Sequence, residues 1–294
     1  MATGARDGPR ALQRILTGLP GELHPGASLA ALTTFRIGGP AWAAYRPASP
    51  EGLVEAVSRC RAAGIPWRLL GGGSNVLMPD AGFPGLVVLT GGLAEVSPEG
   101  DLIVAQAGVP LQRLAPCGFP FLAGIPGTVG GGVITNAGTR EGDIGDRVAW
   151  VEVLAPDGTV SGWDAAACGF AYRDSRLRRL GLPVLRAALR PLAAAPVAAL
   201  LARRRATQPT GLASAGCVFR NPLDAPPAGW LIDRAGLKGA RVGDAVVGPR
   251  HANFICNLGR ARAAHVLTLV DQIRARVVQM FGVWLELELE VVSG

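Results

Sequence analysis

A triplet of glycines at the end of an apolar run is the feature of this sequence that most constrains its fold. The run from Ile65 to Leu70 is typical of a strand, and it leads directly into Gly71-Gly72-Gly73. Glycine has no Cβ, so an anion can approach the backbone N–H groups of such a turn. Ser74 and Asn75 add side-chain donors. The pattern predicts a strand that ends in a phosphate-binding turn.

A second glycine cluster follows further along the chain, in Gly124-Ile-Pro-Gly-Thr-Val-Gly-Gly-Gly132. Neither cluster matches the G-x-G-x-x-G pattern that opens a βαβ dinucleotide-binding unit, and neither matches the G-x-x-x-x-G-K-[ST] pattern of a P-loop. A flexible turn is the alternative for either cluster alone. The two together predict a large phosphorylated cofactor that is held along its length, in neither of these two common ways.

Length and composition indicate a globular chain without a membrane segment. A chain of 294 residues predicts roughly two domains, and a hydrophobic fraction of 49% is enough for a substantial core. No apolar run reaches the ~18 residues that a membrane span needs, and the N-terminus has no apolar stretch of signal-peptide length. We therefore expect a cytoplasmic protein that binds no membrane.

Charge and cysteine usage narrow the possible partners. Lys238 is the only lysine, so arginine supplies nearly all of the cations behind the net charge of +7. These arginines could serve an anionic substrate, or they could reflect codon usage alone. The basic runs Arg176–Arg179 and Arg203–Arg205 lack an aromatic stacking pattern, which favours solvated helix faces over a nucleic-acid-binding surface. The cysteines contain no C-x-x-C pair and the histidines have no metal-ligand spacing, so we expect neither a disulfide framework nor a metal site.

Helical and strand patterns are mixed along the chain. Apolar spacing predicts helices over Glu51–Ala63, Val197–Arg205, Ala228–Gly236 and Arg262–Phe281. Strands are predicted over Pro66–Leu70, Leu86–Leu89 and Leu102–Ala107, with a hairpin formed by Val148–Leu154 and Thr159–Trp163. Because the order shows no regular βαβ repeat, the predicted fold class is α+β.

Three further segments carry structural expectations. Residues 1–27 are rich in Gly, Pro and Ala, and we expect loose order from the beginning of this segment. The Ala/Leu/Pro-rich stretch Leu185–Pro196 is the expected domain boundary. The last residues alternate leucine and glutamate, which predicts a terminal strand with Glu286, Glu288 and Glu290 on one face.

A set of longer motifs occurs in a characteristic order. The motifs are Thr33-Thr-Phe-Arg-Ile-Gly-Gly-Pro40, Leu70-Gly-Gly-Gly-Ser-Asn-Val-Leu77, Gly124-Ile-Pro-Gly-Thr-Val-Gly-Gly-Gly132, Asn136-Ala-Gly138, Tyr172-Arg-Asp-Ser175, Ser214-Ala-Gly-Cys-Val-Phe-Arg-Asn-Pro222, Ala235-Gly-Leu-Lys-Gly239 and His251-Ala-Asn-Phe-Ile255. Their order and spacing, over residues 25–292, resemble the UDP-N-acetylenolpyruvoylglucosamine reductases. These flavoenzymes have the vanillyl-alcohol-oxidase type of FAD-binding fold.

The resemblance implies noncovalent, extended FAD and NADPH as co-substrate. It implies FAD-binding subdomains at residues 1–64 and 65–192 and a C-terminal substrate domain at residues 193–294. The implied reaction reduces UDP-N-acetylglucosamine enolpyruvate to UDP-N-acetylmuramate for peptidoglycan, and we expect no obligate protein partner. The implied FAD contacts are Gly71, Gly72, Gly73, Ser74, Asn75, Ile125, Gly127, Thr128, Gly130, Gly131, Asn136 and Gly138.

The resemblance also assigns catalytic roles. The family passes a hydride to C3 of the enolpyruvyl group and a proton to C2, so the site must stabilise an enolate beside a carboxylate. Arg173 matches the arginine that binds this carboxylate, with bidentate donors suited to it. The alternative for Arg173 is a surface ion pair with Asp174.

Cys217 matches the position of the proton donor, where many members of the family have serine. A thiol, with an ordinary pKa of ~8.5, is a far stronger acid than a hydroxyl, so the substitution preserves the role. The alternative, a buried structural cysteine, suits Cys60, Cys168 and Cys256 better.

The catalytic carboxylate of the family lies near the C-terminus. Alignment without gaps from Phe281 matches it to Glu288, and alignment on the Glu-Val pair matches it to Glu290. We expect Glu288, with Glu290 as the alternative. A solvated strand face is the expectation for the glutamates that are not catalytic.

Asn221 and Tyr172 are the expected substrate contacts, and the weaker candidates are Arg220, Lys238 and Asn253. No tyrosine follows Tyr172, which places the chain in the branch of the family without a tyrosine-bearing insertion. Two other functions stay open, another noncovalent-FAD oxidoreductase of the same fold and a non-catalytic nucleotide-binding relative. A turnover assay separates these two.

Overall fold

The computed structural model describes residues 8–193, 197–209 and 211–293, which form a mixed set of strands and helices. The strands are β1 (Gly21–Pro25), β2 (Ala41–Pro47), β3 (Trp67–Leu70), β4 (Val76–Leu77), β5 (Phe83–Leu89), β6 (Val96–Glu99), β7 (Leu102–Gln106), β8 (Gly138–Thr139), β9 (Gly142–Asp143), β10 (Val148–Leu154), β11 (Val160–Asp164), β12 (Val184–Leu189), β13 (Ala213–Cys217), β14 (Arg241–Val242), β15 (Ala245–Val247), β16 (Phe254–Asn257) and β17 (Glu290–Val291). The α-helices are α1 (Gly8–Leu16), α2 (Pro50–Ala62), α3 (Leu111–Leu114), α4 (Val129–Thr135), α5 (Ala165–Cys168), α6 (Arg176–Leu180), α7 (Val197–Thr207), α8 (Ala228–Arg234) and α9 (Ala263–Phe281). The predicted α+β class is confirmed.

The described residues divide into two compact units, each built from separate segments of the chain. Unit 1 takes in residues 8–27, 41–72 and 84–202, and unit 2 takes in residues 28–40, 73–83 and 203–293. The chain leaves unit 1 and enters unit 2 inside the glycine triplet, between Gly72 and Gly73. The division at residues 64 and 192 stays a prediction.

The four-stranded sheet β1-β2-β5-β3 and helix α2 belong to unit 1. The Ser49 hydroxyl accepts a hydrogen bond from the Gly52 N–H at 3.3 Å and so begins α2. The helix ends just before Gly64, whose φ of 62° suits glycine, as the pattern predicts. Its buried face consists of Gly52, Leu53, Ala56, Val57 and Cys60.

Residues 8–27 contain more regular structure than their composition suggests. They form α1 and β1, and β1 pairs antiparallel with β2. Leu12 and Leu16 are buried in the same core as α2. The expectation of loose order is wrong here, because these leucines and the strand pairing hold the segment. Residues 1–7 lie outside the described residues.

The five-stranded sheet β11-β10-β12-β7-β6 forms the other large sheet of unit 1. The predicted hairpin is confirmed as β10 and β11, which pair antiparallel with Val151 opposite Trp163. The expected boundary Leu185–Pro196 is wrong in its first part, because β12 lies in the middle of this sheet and is largely buried. Residues 194–196 lie outside the described residues.

Unit 2 is centred on the sheet β13-β16-β15-β14 and on α8 and α9. The predicted helix over 262–281 is confirmed, and the predicted helices near 197–205 and 228–236 are confirmed as α7 and α8. The Asp80 carboxylate accepts hydrogen bonds from the N–H groups of Ala263 and Ala264 at the first turn of α9. The buried stripe of α9 consists of Ala263, Val266, Leu269, Val270, Ile273 and Val277.

The C-terminal strand is shorter than the Leu/Glu alternation predicts. Only β17 is a strand, parallel to β4, and Leu287 forms a single bridge to Phe219. The N–H groups of Glu288 and Leu289 both donate to the Val218 carbonyl, at 2.9 and 3.2 Å. A regular ladder does not bring two consecutive N–H groups to one oxygen. The predicted regular strand is therefore interrupted between Glu288 and Leu289, although Leu285 and Leu289 are both buried as the alternation predicts.

Candidate active site

The two glycine clusters meet in unit 1. A Cβ on Gly72 would lie 2.8 Å from the Cα of Gly127, and a Cβ on Gly71 would collide with the Thr128 hydroxyl. A side chain at residue 72 would require the Gly127 backbone to move, and one at residue 71 would require the Thr128 side chain to move. The clusters that the sequence assigns to one cofactor therefore contact each other, backbone to backbone at Gly72 and Gly127.

The Thr128 hydroxyl at this contact is buried and has no hydrogen-bond partner among the described residues. A buried polar atom that lacks a partner costs about 1–3 kcal/mol, so such atoms are rare unless something binds them. A buried hydroxyl beside two side-chain-free turns suits the oxygens of a diphosphate. These residues therefore fit the phosphorylated part of FAD.

The remaining glycines of the second cluster lie in or beside α4. A Cβ on Gly130 would press on Ala107 at 2.9 Å, so Gly130 serves packing within unit 1. Gly131 is exposed, and a Cβ there would meet nothing within 4 Å. Ile125, which precedes the helix, is 8% exposed. Of these three positions, Gly131 is the one that leaves the helix surface open to a ligand.

The second half of the first glycine turn lies in unit 2. The carbonyl of Gly73 accepts a hydrogen bond from the Thr34 N–H at 3.0 Å, and Thr34 Oγ1 donates to the Ser214 carbonyl at 2.7 Å. Asn75 Nδ2 donates to the Glu288 carbonyl at 3.2 Å. The turn is thereby joined to two segments that carry predicted catalytic residues.

Arg173 is held by the Asn136–Gly138 motif. Its Nη1 donates to the Asn136 carbonyl at 3.1 Å and to Asp143 Oδ1 at 2.8 Å, and its Nη2 donates to the Gly138 carbonyl at 2.8 Å. The side chain is only 16% exposed. The structure therefore brings Arg173 together with two predicted cofactor-binding residues, and Asp143 makes a charged hydrogen bond with it.

Asp143 is a residue that the sequence reasoning missed. A Cβ on Gly138 would collide with Asp143 Oδ1, so only glycine at 138 lets this carboxylate reach Arg173. An acidic residue shortly after Asn136-Ala-Gly138 was the available signal. The Asn136 amide joins the same loops, because it donates to the Ala171 carbonyl and accepts from the Gly145 N–H.

The alternative partner of Arg173, Asp174, forms its ion pair with Arg179. The Arg173 guanidinium also lies over the ring of Tyr172, 5.1 Å from its centroid. Tyr172 itself is 41% exposed. An exposed ring next to a held cation is compatible with the substrate contact expected of Tyr172.

Cys217 is the last residue of β13 in unit 2 and is half-buried. The preceding Gly216 has a φ of 74°, and a Cβ there would lie 3.9 Å from the Ser74 carbonyl. Ser74 of the glycine turn is therefore close to the strand that carries Cys217.

The other thiols are in different surroundings. Burial raises the pKa of Cys60 and Cys256 to about 11, and burial together with the Asp164 charge raises that of Cys168 to about 11. All three are buried, whereas Cys117 is exposed. This agrees with a structural role for the three buried cysteines.

The backbone N–H and the backbone carbonyl of Glu288 both form hydrogen bonds with segments of the candidate site. Its N–H donates to Val218, the neighbour of Cys217, and its carbonyl accepts from Asn75. The Glu290 N–H donates to the Asn75 carbonyl at 3.0 Å, so this residue continues into β17. Glu288 is thus bonded directly to the residue after Cys217, and its choice over Glu290 stays a prediction.

The other substrate candidates take part in local structure. Asn221 Oδ1 accepts a hydrogen bond from the Ala228 N–H at 3.0 Å, at the start of α8. Lys238 pairs with Asp233 at 2.7 Å. Among the described residues, no group of three or more His, Cys, Asp or Glu side chains could hold a metal ion.

Comparison with known protein families shows the class of protein to which the chain belongs. Residues 42–162 match a family model described as an FAD binding domain, so the chain is a flavoprotein. Residues 208–292 match the C-terminal domain of UDP-N-acetylenolpyruvoylglucosamine reductase. The cofactor prediction, FAD, is confirmed.

Several known proteins are similar to nearly the whole chain, beyond the two segments that the family models match. UDP-N-acetylenolpyruvoylglucosamine reductases from Moorella thermoacetica and Syntrophobacter fumaroxidans are both 43% identical, covering 94% and 90% of this chain and 98% and 82% of their own lengths. The crystal structure of the Thermus caldophilus enzyme is 38% identical, covers 94% of this chain and 100% of its own, and superposes with a TM-score of 0.76. The chain belongs to the UDP-N-acetylenolpyruvoylglucosamine reductase family.

Proposed function

We propose that the chain reduces UDP-N-acetylglucosamine enolpyruvate to UDP-N-acetylmuramate in peptidoglycan synthesis, with NADPH as the electron donor. The observation that carries the proposal is identity to named reductases along almost the whole chain, 43% over 297 residues. The joined glycine turns and the buried Thr128 hydroxyl support it with a place for the cofactor. Bound at these turns, FAD would supply the redox chemistry, namely the transfer of a hydride from NADPH to C3 of the enolpyruvyl double bond.

Arg173 binds the carboxylate of the enolpyruvyl group in this proposal. Reduction at C3 builds negative charge on the carboxylate side of the double bond, and a fixed guanidinium stabilises that charge. The hydrogen bonds to Asn136, Gly138 and Asp143 support this role, because they hold the cation in one orientation. Tyr172 and Asn221 are proposed to contact the rest of the substrate.

Cys217 donates its thiol proton to C2, and Glu288 polarises the developing enolate. The hydride at C3 and the proton at C2 together saturate the double bond, and solvent later restores the proton of Cys217. The half-buried position of Cys217, unlike that of the three buried cysteines, supports this role.

The location and the mode of cofactor attachment are also proposals. Every helix of the described ranges is too short or too polar to cross a membrane. We propose a cytoplasmic enzyme that acts on small molecules, without a nucleic acid, a membrane or an obligate protein partner. Neither glycine cluster contains a histidine to attach FAD covalently, which supports noncovalent binding.

The variant Cys217→Ala tests the proton-donor role. NADPH oxidation in the absence of the enolpyruvyl nucleotide should proceed as in the wild type, because it needs no proton from Cys217. Product formation should fall by about 10²–10⁴-fold, the usual contribution of a general acid. Rapid-mixing absorbance and product chromatography measure the two steps.

The exposed Cys117 provides the matched control, since Cys117→Ala removes a thiol outside the site and should leave both steps unchanged. Loss of both steps in Cys217→Ala would contradict the proton-donor role. A wild-type chain with bound FAD that consumes no NADPH would contradict the proposed function itself.

A further inference from the structure

A β-bulge immediately precedes Cys217. In the antiparallel pair β13–β16, Ser214 lies opposite Cys256 but Cys217 lies opposite Phe254, so β13 contains one extra residue. Gly216, with its φ of 74°, supplies the left-handed conformation that such a bulge needs. A bulge shifts every later residue by one position in the alternation of side chains. The direction of the Cys217 thiol therefore depends on what holds the chain just after it.

Asn253 holds this part of the chain. The N–H of Val218 donates to the Asn253 carbonyl at 2.8 Å, and the N–H of Phe219 donates to Asn253 Oδ1 at 2.9 Å. Asn253 Nδ2 donates in turn to the Phe219 carbonyl at 2.8 Å. The side-chain amide therefore pairs with Phe219 as a neighbouring strand would, one residue before β16 begins. Asn253 is only 3% exposed, so water cannot easily replace these bonds.

Glu288 is hydrogen-bonded to the other side of the Val218–Phe219 segment. The Val218 carbonyl accepts hydrogen bonds from the Glu288 and Leu289 N–H groups at 2.9 and 3.2 Å. Val218 is thus bonded to Asn253 on one side and to Glu288 on the other. Movement at Asn253 would displace Cys217 and Glu288 relative to each other.

We infer that Asn253 is a positioning residue for the proton transfer, and that its amide fixes the bulged segment between Cys217 and Glu288. The inference rests on the proposed function of Cys217. It replaces the expectation that Asn253 contacts the substrate, because both ends of its amide are bonded to Phe219.

The test compares Asn253→Ala with Asn257→Ala in the full chain with FAD bound. Asn257 is the matched control, since it is a buried asparagine of the adjoining strand whose amide donates to Phe35 and Arg36. Rapid mixing measures NADPH oxidation alone and product formation by the previously reduced enzyme.

For Asn253→Ala, NADPH oxidation and the substrate KM should stay near wild type. Product formation should slow on the order of 10²-fold, because small misplacements of a reacting group have effects of this size. Asn257→Ala should slow neither step selectively.

A second readout does not depend on activity. In a Cys117→Ser background without FAD, the rate of iodoacetamide alkylation reports the surroundings of the Cys217 thiol, because the other three cysteines are buried. Asn253→Ala should raise this rate and Asn257→Ala should not. If either alanine variant does not fold, Asn253→Asp and Asn257→Asp replace the pair, since each keeps the side-chain volume and loses the Nδ2 donor.

Equal slowing of product formation in the Asn253 and Asn257 variants would overturn the inference, because it would indicate general loosening. Wild-type product formation and wild-type alkylation in the Asn253 variant would also overturn it. If the reduced wild-type enzyme fails to convert the enolpyruvyl nucleotide, the proposed function fails instead. The alkylation rates then still decide whether Asn253 holds Cys217.

Discussion

The backbone conformation of Arg173 is unusual for a residue with a side chain. Its φ is 52°, in the left-handed region, and the same is true of Asn136, with a φ of 47°. Non-glycine residues keep this conformation only where their surroundings hold them, often at functional sites. Here the hydrogen bonds of the guanidinium to Asn136, Gly138 and Asp143 supply that support. The hydrogen bonds that orient the Arg173 guanidinium therefore also hold the backbone of residue 173 in this conformation.

The first prediction at this scale concerns Arg173→Lys. An ammonium group cannot reproduce the planar set of donors, so the carboxylate of the substrate should be bound less well. We expect KM for the enolpyruvyl nucleotide to rise about 10–100-fold, since a hydrogen bond to a charged group contributes about 1.5–3 kcal/mol. NADPH oxidation alone should be unchanged, and steady-state kinetics measure both.

Arg179→Lys is the matched control for this prediction. Arg179 is a nearby, exposed arginine that pairs with Asp174, and its replacement should leave KM unchanged. An equal rise of KM in both variants would contradict the prediction, because the effect would then not depend on the guanidinium held at residue 173.

The sequence could indicate Arg173 and Cys217 as candidates because each lies within a short motif that resembles one of the family. It could not identify their supporting residues. Asp143 lies 30 residues from Arg173, and Asn253 lies 34 residues from Phe219. Such pairs are set by the folded chain, and no local pattern in a single sequence records them.

At the scale of elements, the contact between the two glycine turns is the main structural result. A Cβ at residue 72 would lie 2.8 Å from the Gly127 backbone, so Gly72→Ala must separate the turns. We expect this variant to be purified with little or no FAD, which the ratio of absorbance at 450 and 280 nm measures.

Gly162→Ala is the matched control for the turn prediction. Gly162 lies in β11 of the same unit, and a Cβ there would meet nothing within 4 Å. This variant should keep its FAD. Full FAD content in Gly72→Ala would contradict the assignment of the two turns to the cofactor.

His251, two residues before Asn253, links the stability of unit 2 to pH. Burial, and secondly the charge of Lys238, lowers the pKa of His251 below its ordinary value of 6.5. Its Nδ1 accepts a hydrogen bond from the Asn253 N–H at 3.3 Å, which requires Nδ1 to be unprotonated. The unfolded chain therefore takes up this proton more readily than the folded chain, so stability should fall as the pH drops below about 6.5.

Denaturant unfolding at pH 7.5 and 5.5 measures this effect. The loss of unfolding free energy between the two values should be smaller in His251→Gln than in the wild type. His24→Gln, at an exposed position, is the control and should behave as the wild type does. An unchanged pH dependence in His251→Gln would show that this histidine is not linked to folding.

The elements that the sequence predicted best are those with local signals. Helix α9 has a regular apolar stripe, and α2 has a serine cap and a terminal glycine. The terminal strand is shorter than predicted because the Val218 carbonyl accepts two consecutive N–H groups, a tertiary contact that alternation cannot show. The bulge at Gly216 was missed because a lone glycine in a strand pattern has several meanings.

At the scale of the whole molecule, each unit combines segments that are far apart in the sequence. Unit 2 takes in residues 28–40 and 73–83 in addition to the segment from 203 onwards. Composition and apolar spacing could not predict that separate segments form one unit, because they describe only residues that are neighbours in the sequence. The family, in contrast, was recognisable from the order of its motifs, and two family models covering residues 42–162 and 208–292 confirm it.

In the proposed function, one chain performs two successive reactions, oxidation of NADPH and reduction of the enolpyruvyl nucleotide. The most direct test treats the FAD-bound enzyme anaerobically with one equivalent of NADPH, removes NADP⁺ by gel filtration, and then adds UDP-N-acetylglucosamine enolpyruvate. We expect about one equivalent of UDP-N-acetylmuramate per bound FAD, detected by mass spectrometry, without further NADPH. If enzyme that has oxidised its NADPH forms no product after this sequence of additions, the chain does not have the proposed function.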